Sequence, residues 1–127
     1  MMTSTVYLKD VLPESFIFFK PKDVVSGDYY WVYKTPYNNI YFTVADCTGH
    51  GVPGAFMSMI GTSLLNENII EKKVNNPGEI LDNMRDKIIA SLNNKDSKKE
   101  TRDGMEVALC KINFEKLTLQ YAGANNP

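Results

Sequence analysis

Residues 40–51 of the chain form the stretch IYFTVADCTGHG. Its first six residues are mostly β-branched or aromatic, which is typical of a strand. The apolar run stops at Asp46, and a glycine-rich loop with the chain's only histidine, His50, follows. The question that this stretch raises is why a carboxylate stands where a buried strand ends and glycines follow.

A hairpin is predicted around this strand. Residues 28–34 (DYYWVYK) are again aromatic and β-branched, and residues 36–39 (PYNN) are typical of a turn. If the turn is centred near Tyr37, Asp28 and Asp46 are equally far from it along the chain. They then lie opposite each other on one face, with Cβ atoms about 5 Å apart.

Two carboxylates this close together repel each other unless they share a proton or a cation. Oxygen ligands favour a hard divalent ion, so the pair Asp28 and Asp46 predicts a Mg²⁺ or Mn²⁺ site. A one-residue change of register would turn one side chain away. In that alternative Asp28 belongs to an ordinary turn at residues 26–27, and Asp46 caps the loop that follows it.

The glycine loop is a second candidate feature. Gly49, Gly51 and Gly54 would leave room for a phosphate beside the main chain, and the helix that follows would offer free N–H groups to an anion. The alternative is a tight strand-to-helix connection.

His50 is the only candidate imidazole for proton transfer, and the alternative is that it makes a local hydrogen bond. With Cys47 it forms half of a zinc motif, but no second pair exists, so structural zinc is not expected.

The remaining pattern predicts an α+β fold with a largely antiparallel sheet, because strands cluster instead of alternating with helices. A second helix should begin at Asn76, with Pro77 in its first turn and Glu79 as the capping partner. The predicted order is βββααββ, with strands at 15–20, 28–34 and 40–45, helices at 55–72 and from 76, and strands at 106–112 and 117–122.

Composition restricts the class of protein. The 127 residues, 43% hydrophobic and 23% charged, fit a single globular domain with a formal net charge of −1. This charge argues against a nucleic-acid surface, and no apolar run approaches the roughly 18 residues of a membrane helix. Two cysteines and no secretory signal favour a cytoplasmic protein with reduced thiols.

Four segments together resemble a known family. Residues 26–31 (SGDYYW), 44–51 (VADCTGHG), 103–109 (DGMEVAL) and 122–127 (AGANNP) are similar to motifs of the SpoIIE/RsbU branch of metal-dependent (PPM) serine/threonine phosphatases. The resemblance extends over nearly the whole chain, with the motifs in the same order. It implies a β-sandwich flanked by helices, with a two-metal centre at one edge.

The resemblance also implies roles for individual residues. Asp46 would bridge two Mg²⁺ or Mn²⁺ ions, Asp28 would be a further ligand, and Cys47 would contribute its backbone carbonyl. Water activated by the two ions would hydrolyse phosphoserine or phosphothreonine on a small regulatory protein, such as an anti-sigma-factor antagonist. Other PPM phosphatases place a histidine two residues after the bridging aspartate, whereas His50 lies four residues after Asp46.

The family pattern continues through two further aspartate-bearing motifs beyond residue 127. We therefore expect residues 1–127 to form a single but incomplete catalytic domain that is weak or inactive by itself. An uncovered sheet edge at residues 117–122 would favour self-association as a homodimer. The main alternative is a non-catalytic signalling module that dimerises or binds a regulatory protein through its two helices. Nucleotide binding at the glycine loop is a third alternative.

Overall fold

The computed structural model describes residues 5–13, 27–47, 51–93 and 105–124, which form one sheet with helices on both of its faces. The helices α1, α2 and α3 and the strands β1 to β4 follow in the order α1 (Thr5–Val11), β1 (Tyr29–Lys34), β2 (Asn39–Cys47), α2 (Gly51–Leu65), a π-helical segment (Asn66–Glu71), α3 (Pro77–Asn93), β3 (Met105–Asn113) and β4 (Thr118–Ala124).

The sheet has the strand order β1-β2-β3-β4, and every neighbouring pair is antiparallel. The predicted α+β class and the four predicted strands within the described ranges are confirmed. The strand predicted at residues 15–20 lies outside the described residues. The sequence did not predict α1, because seven residues are too few to show a helical period and tertiary packing decides whether so short a helix forms.

One face of the sheet packs against α2 and α3 and holds the main core. Alternate residues of each strand point to this face, as the two-residue period of a strand requires. Among them, Leu109 is completely buried, as are Leu65 at the end of α2 and Ile80 in α3. The site described below lies on the opposite face, so this core supports it from behind.

The opposite face is only partly covered. Leu8 of α1 packs on Val32 and Ile40, and the Tyr7 hydroxyl accepts a hydrogen bond of 2.9 Å from the Lys34 amide. Helix α1 therefore covers the part of this face formed by β1 and β2. Beyond it, the exposed apolar side chains of this face are Val44, Leu119 and Tyr121.

The helix bounds differ partly from prediction. The helix predicted at residues 55–72 begins at Gly51 and ends as the π-helical segment. Its early start is possible because the N–H groups of a first turn need no intrahelical partner. The predicted cap of α3 is confirmed: the Asn76 side chain accepts a 3.2 Å hydrogen bond from the Glu79 amide. Of the helices within the described ranges, none has the length and apolarity to span a membrane.

The π-helical segment forms around a buried amide. Asn68, 2% exposed, donates a 2.9 Å hydrogen bond to the Leu64 carbonyl and accepts one of 3.0 Å from the Asn83 side chain. The Asn68 carbonyl also accepts a bond from the Val74 amide. Satisfying this buried polar side chain stabilises the wider turn and joins α2 to α3.

Candidate functional site

The hairpin of β1 and β2 has the predicted register. Tyr29 faces Ala45 and Lys34 faces Ile40, so residues equally distant from Tyr37 pair with one another. At the turn, the Thr35 amide donates to the Asn39 carbonyl at 2.8 Å. Continued by one residue, this register places Asp28 opposite Asp46.

The two carboxyl groups meet as the register requires. Partial burial raises the pKa of Asp28 above its ordinary value, and the neighbouring Asp46 side chain with its negative charge raises it further. Two carboxyl groups this close can share a proton, and at neutral pH a cation can take the place of that proton. The pair is therefore suited to a hard divalent ion.

Cys47 is the last residue of β2 and lies beside this pair. Its side chain is buried, and burial, with the nearby charges of Asp28 and Asp46, raises the pKa of the thiol to about 12. The thiol is therefore protonated at neutral pH and unsuited to nucleophilic attack. The Cys47 carbonyl, the atom that the resemblance implies as a ligand, faces Gly27: a Cβ on that glycine would lie 3.3 Å from the carbonyl oxygen.

Glu106 is an acidic neighbour that the sequence analysis missed. The register of β2 and β3 places it opposite Asp46, so Asp28, Asp46 and Glu106 form a row across three strands. Within the described ranges no three His, Cys, Asp or Glu side chains are grouped closely enough to hold a metal ion. The row borders a shallow depression lined by Val44, Asp46, Glu106, Val107, Ala108, Tyr121, Gly123 and Ala124.

Only some of the predicted loop residues lie within the described ranges. Gly49 and His50 lie outside the described residues, so the proposed contact of Gly49 with phosphate and the proton-transfer role of His50 stay predictions. Gly51 is the first residue of α2, at the end whose N–H groups have no intrahelical partner. A role for Gly51 in approaching phosphate also stays a prediction.

Comparison with known proteins identifies the family. Residues 36–127 match the family model described as Stage II sporulation protein E (SpoIIE). Among solved structures, the chain is similar to the SiaA-PP2C domain of Pseudomonas aeruginosa, with a TM-score of 0.69 and 31% sequence identity. That match covers 86% of this chain but 42% of the solved one. No curated protein matches the chain.

The described fold agrees with both comparisons. Strands β2 to β4 and helices α2 and α3 lie within residues 36–127, the range that the family model matches. The resemblance carried by the sequence motifs is therefore confirmed, and this chain belongs to the SpoIIE family.

Proposed function

We propose that this chain contributes metal ligands to a Mg²⁺- or Mn²⁺-dependent protein phosphatase that hydrolyses phosphoserine or phosphothreonine. The observation that supports this most directly is the contact between Asp28 and Asp46 at the open end of the hairpin. The similarity to a PP2C domain supports the reaction class. Because the chain spans 42% of that solved chain, the activity belongs to the proposal for the whole protein.

The residues of this chain have defined tasks in the proposal. Asp28 and Asp46 would hold the cation from two neighbouring strands, and the Cys47 carbonyl would add a third oxygen. When bound, divalent ions would polarise the phosphoryl group and lower the pKa of a water molecule. The hairpin holds both carboxylates in place before any ion binds, which reduces the ordering that binding requires.

A Mn²⁺ titration of the chain tests the metal proposal. Binding should raise the free energy of unfolding by about 2.7 kcal/mol when free Mn²⁺ is 100 times the dissociation constant. Asp46→Asn should abolish this gain. Asp86→Asn, which removes the same charge from an exposed position on α3, is the matched control and should keep it. An equal Mn²⁺ gain in the Asp46→Asn chain would contradict the metal role.

Activity is measured on the whole protein. We expect Mn²⁺-dependent phosphate release from a phosphoserine peptide, and Asp46→Asn should reduce its rate by at least a hundredfold, or about 2.7 kcal/mol. The non-catalytic signalling module predicts neither phosphate release nor a metal-dependent gain in stability. Stabilisation by a nucleotide without metal would instead favour nucleotide binding.

A further inference from the structure

Tyr29 connects the carboxylate pair to helix α2. It follows Asp28 directly, and because successive strand side chains point to opposite faces, its ring enters the core while the Asp28 side chain faces Asp46. Tyr29 is 3% exposed, and its hydroxyl donates a 3.4 Å hydrogen bond to the sulfur of Met105, the first residue of β3.

The end of the Tyr29 ring fits against a glycine in the middle of α2. A Cβ on Gly61 would lie 3.0 Å from Cζ of Tyr29 and 3.0 Å from Cε of Met105, and closer still to the Tyr29 hydroxyl. Glycine in a helix interior costs about 1 kcal/mol relative to alanine. Here it allows α2 to approach the sheet at the residue beside Asp28.

The residue on the other side of Asp28 also contacts α2. A Cβ on Gly27 would lie 3.1 Å from Cα of Gly54 and 3.2 Å from Cβ of Cys47. Gly54 and Gly61 are about two helical turns apart, so they lie on the same side of α2. Both chain neighbours of Asp28 therefore pack against this helix.

We propose that Tyr29 is a positioning residue: it sets the location of the Asp28 carboxylate according to how closely α2 packs on the sheet. The spacing of Asp28 and Asp46, and with it the affinity for a divalent cation, then depends on the contact between Tyr29 and Gly61. This inference rests on the proposed metal-binding function. A displacement of about 0.5 Å is enough to matter, because functional side chains must be held within roughly that distance of productive geometry.

Gly61→Ala tests the contact, with Mn²⁺ affinity measured by the loss of the free-ion electron paramagnetic resonance signal. The new methyl group would overlap sterically with the Tyr29 hydroxyl, and we expect Mn²⁺ to bind about tenfold more weakly. Gly78→Ala is the matched control, because a Cβ there meets only the Asn76 side-chain oxygen at 3.2 Å. It should bind Mn²⁺ like the unsubstituted chain.

A second substitution separates positioning from loss of stability. Tyr29→Phe in the Gly61→Ala background removes the oxygen that would overlap with the new methyl group and leaves the 3.0 Å contacts with Cζ of the ring and with Met105. Affinity should therefore rise by at least about threefold over that of Gly61→Ala. Circular dichroism shows whether each variant is folded at the temperature of the titration. If Gly61→Ala alone does not fold, Tyr29→Phe alone should weaken Mn²⁺ binding about threefold, because the hydroxyl loses its bond to Met105.

The outcomes distinguish the two proposals. If the unsubstituted chain binds Mn²⁺ in an Asp46-dependent manner but Gly61→Ala binds it equally well, the positioning role of Tyr29 is wrong and the proposed function stands. Weak binding by Gly61→Ala that Tyr29→Phe does not strengthen also contradicts the positioning role. If the unsubstituted chain binds no Mn²⁺, both proposals are overturned.

Discussion

Asp28→Asn should stabilise the metal-free protein at neutral pH. The substitution keeps the size of the side chain and removes one of two opposed negative charges. At a separation of about 5 Å, Coulomb's law gives a repulsion of about 0.8 kcal/mol in bulk water and about 3 kcal/mol at an effective dielectric constant of 20. Both aspartates are exposed, so the lower value applies.

This repulsion corresponds to a measurable shift in melting temperature. With an unfolding entropy of about 2.1 cal/mol/K per residue over 127 residues, a gain of about 0.8 kcal/mol raises Tm by about 3 °C. Urea unfolding at pH 7 in the presence of a chelator measures the gain directly. Added salt should reduce it, because exposed charges are screened.

The pH dependence follows from the raised pKa of Asp28. A carboxyl whose pKa is higher in the folded state than in the unfolded state lowers stability at a pH above the folded value. As the pH falls through that value Asp28 takes up a proton, the repulsion disappears, and the advantage of Asp28→Asn should disappear with it. With saturating Mn²⁺ the unsubstituted chain should be more stable than Asp28→Asn, because the ion adds more to its free energy of unfolding.

The result that refutes this reasoning is a loss of stability on Asp28→Asn at pH 7 without metal. Asp28 would then make a favourable structural interaction in the turn at residues 26–27, as in the alternative interpretation of the sequence. A gain that does not change between pH 7 and pH 4 would also exclude charge repulsion as its cause.

Asn68→Ala should cost about 1–3 kcal/mol in urea unfolding, because the Leu64 carbonyl and the Asn83 amide lose a buried partner; Asn66→Ala, at an exposed position of the same segment, should change stability by less than about 0.5 kcal/mol. Leu117→Gly should raise stability by about 1 kcal/mol, because Leu117 has a φ of 53° and is 87% exposed. Leu119→Gly, within extended strand β4, should lower stability instead, and equal effects of the two glycines would exclude backbone conformation as the cause.

The sequence predicted the hairpin register because every determinant is local. A turn at residues 36–39 with strands on both sides leaves few ways to pair, and Asp28 and Asp46 follow from symmetry about Tyr37. Helix α3 was equally predictable from the sequence, because Asn76 is a capping residue directly before the helix begins. Both predictions depend on residues close together in the chain.

Glu106 could not be found in this way. It faces Asp46 only because β3 pairs with β2, and residues 48–104 separate the two strands. The π-helical segment also depends on a distant residue, because Asn83 of α3 satisfies the buried Asn68 side chain. The contact of Gly61 with Tyr29 likewise emerges only when α2 lies on the sheet.

The sheet topology has a consequence for the order of folding. Strands β1 and β2 are joined by a turn of a few residues, so their pairing closes a small loop and can form early. Pairing of β2 with β3 must close a loop that contains both α2 and α3, which costs more entropy and slows the step. Asp28 and Asp46 can therefore come together before the rest of the sheet is complete. A cation bound at that stage would favour the native hairpin over other pairings during folding.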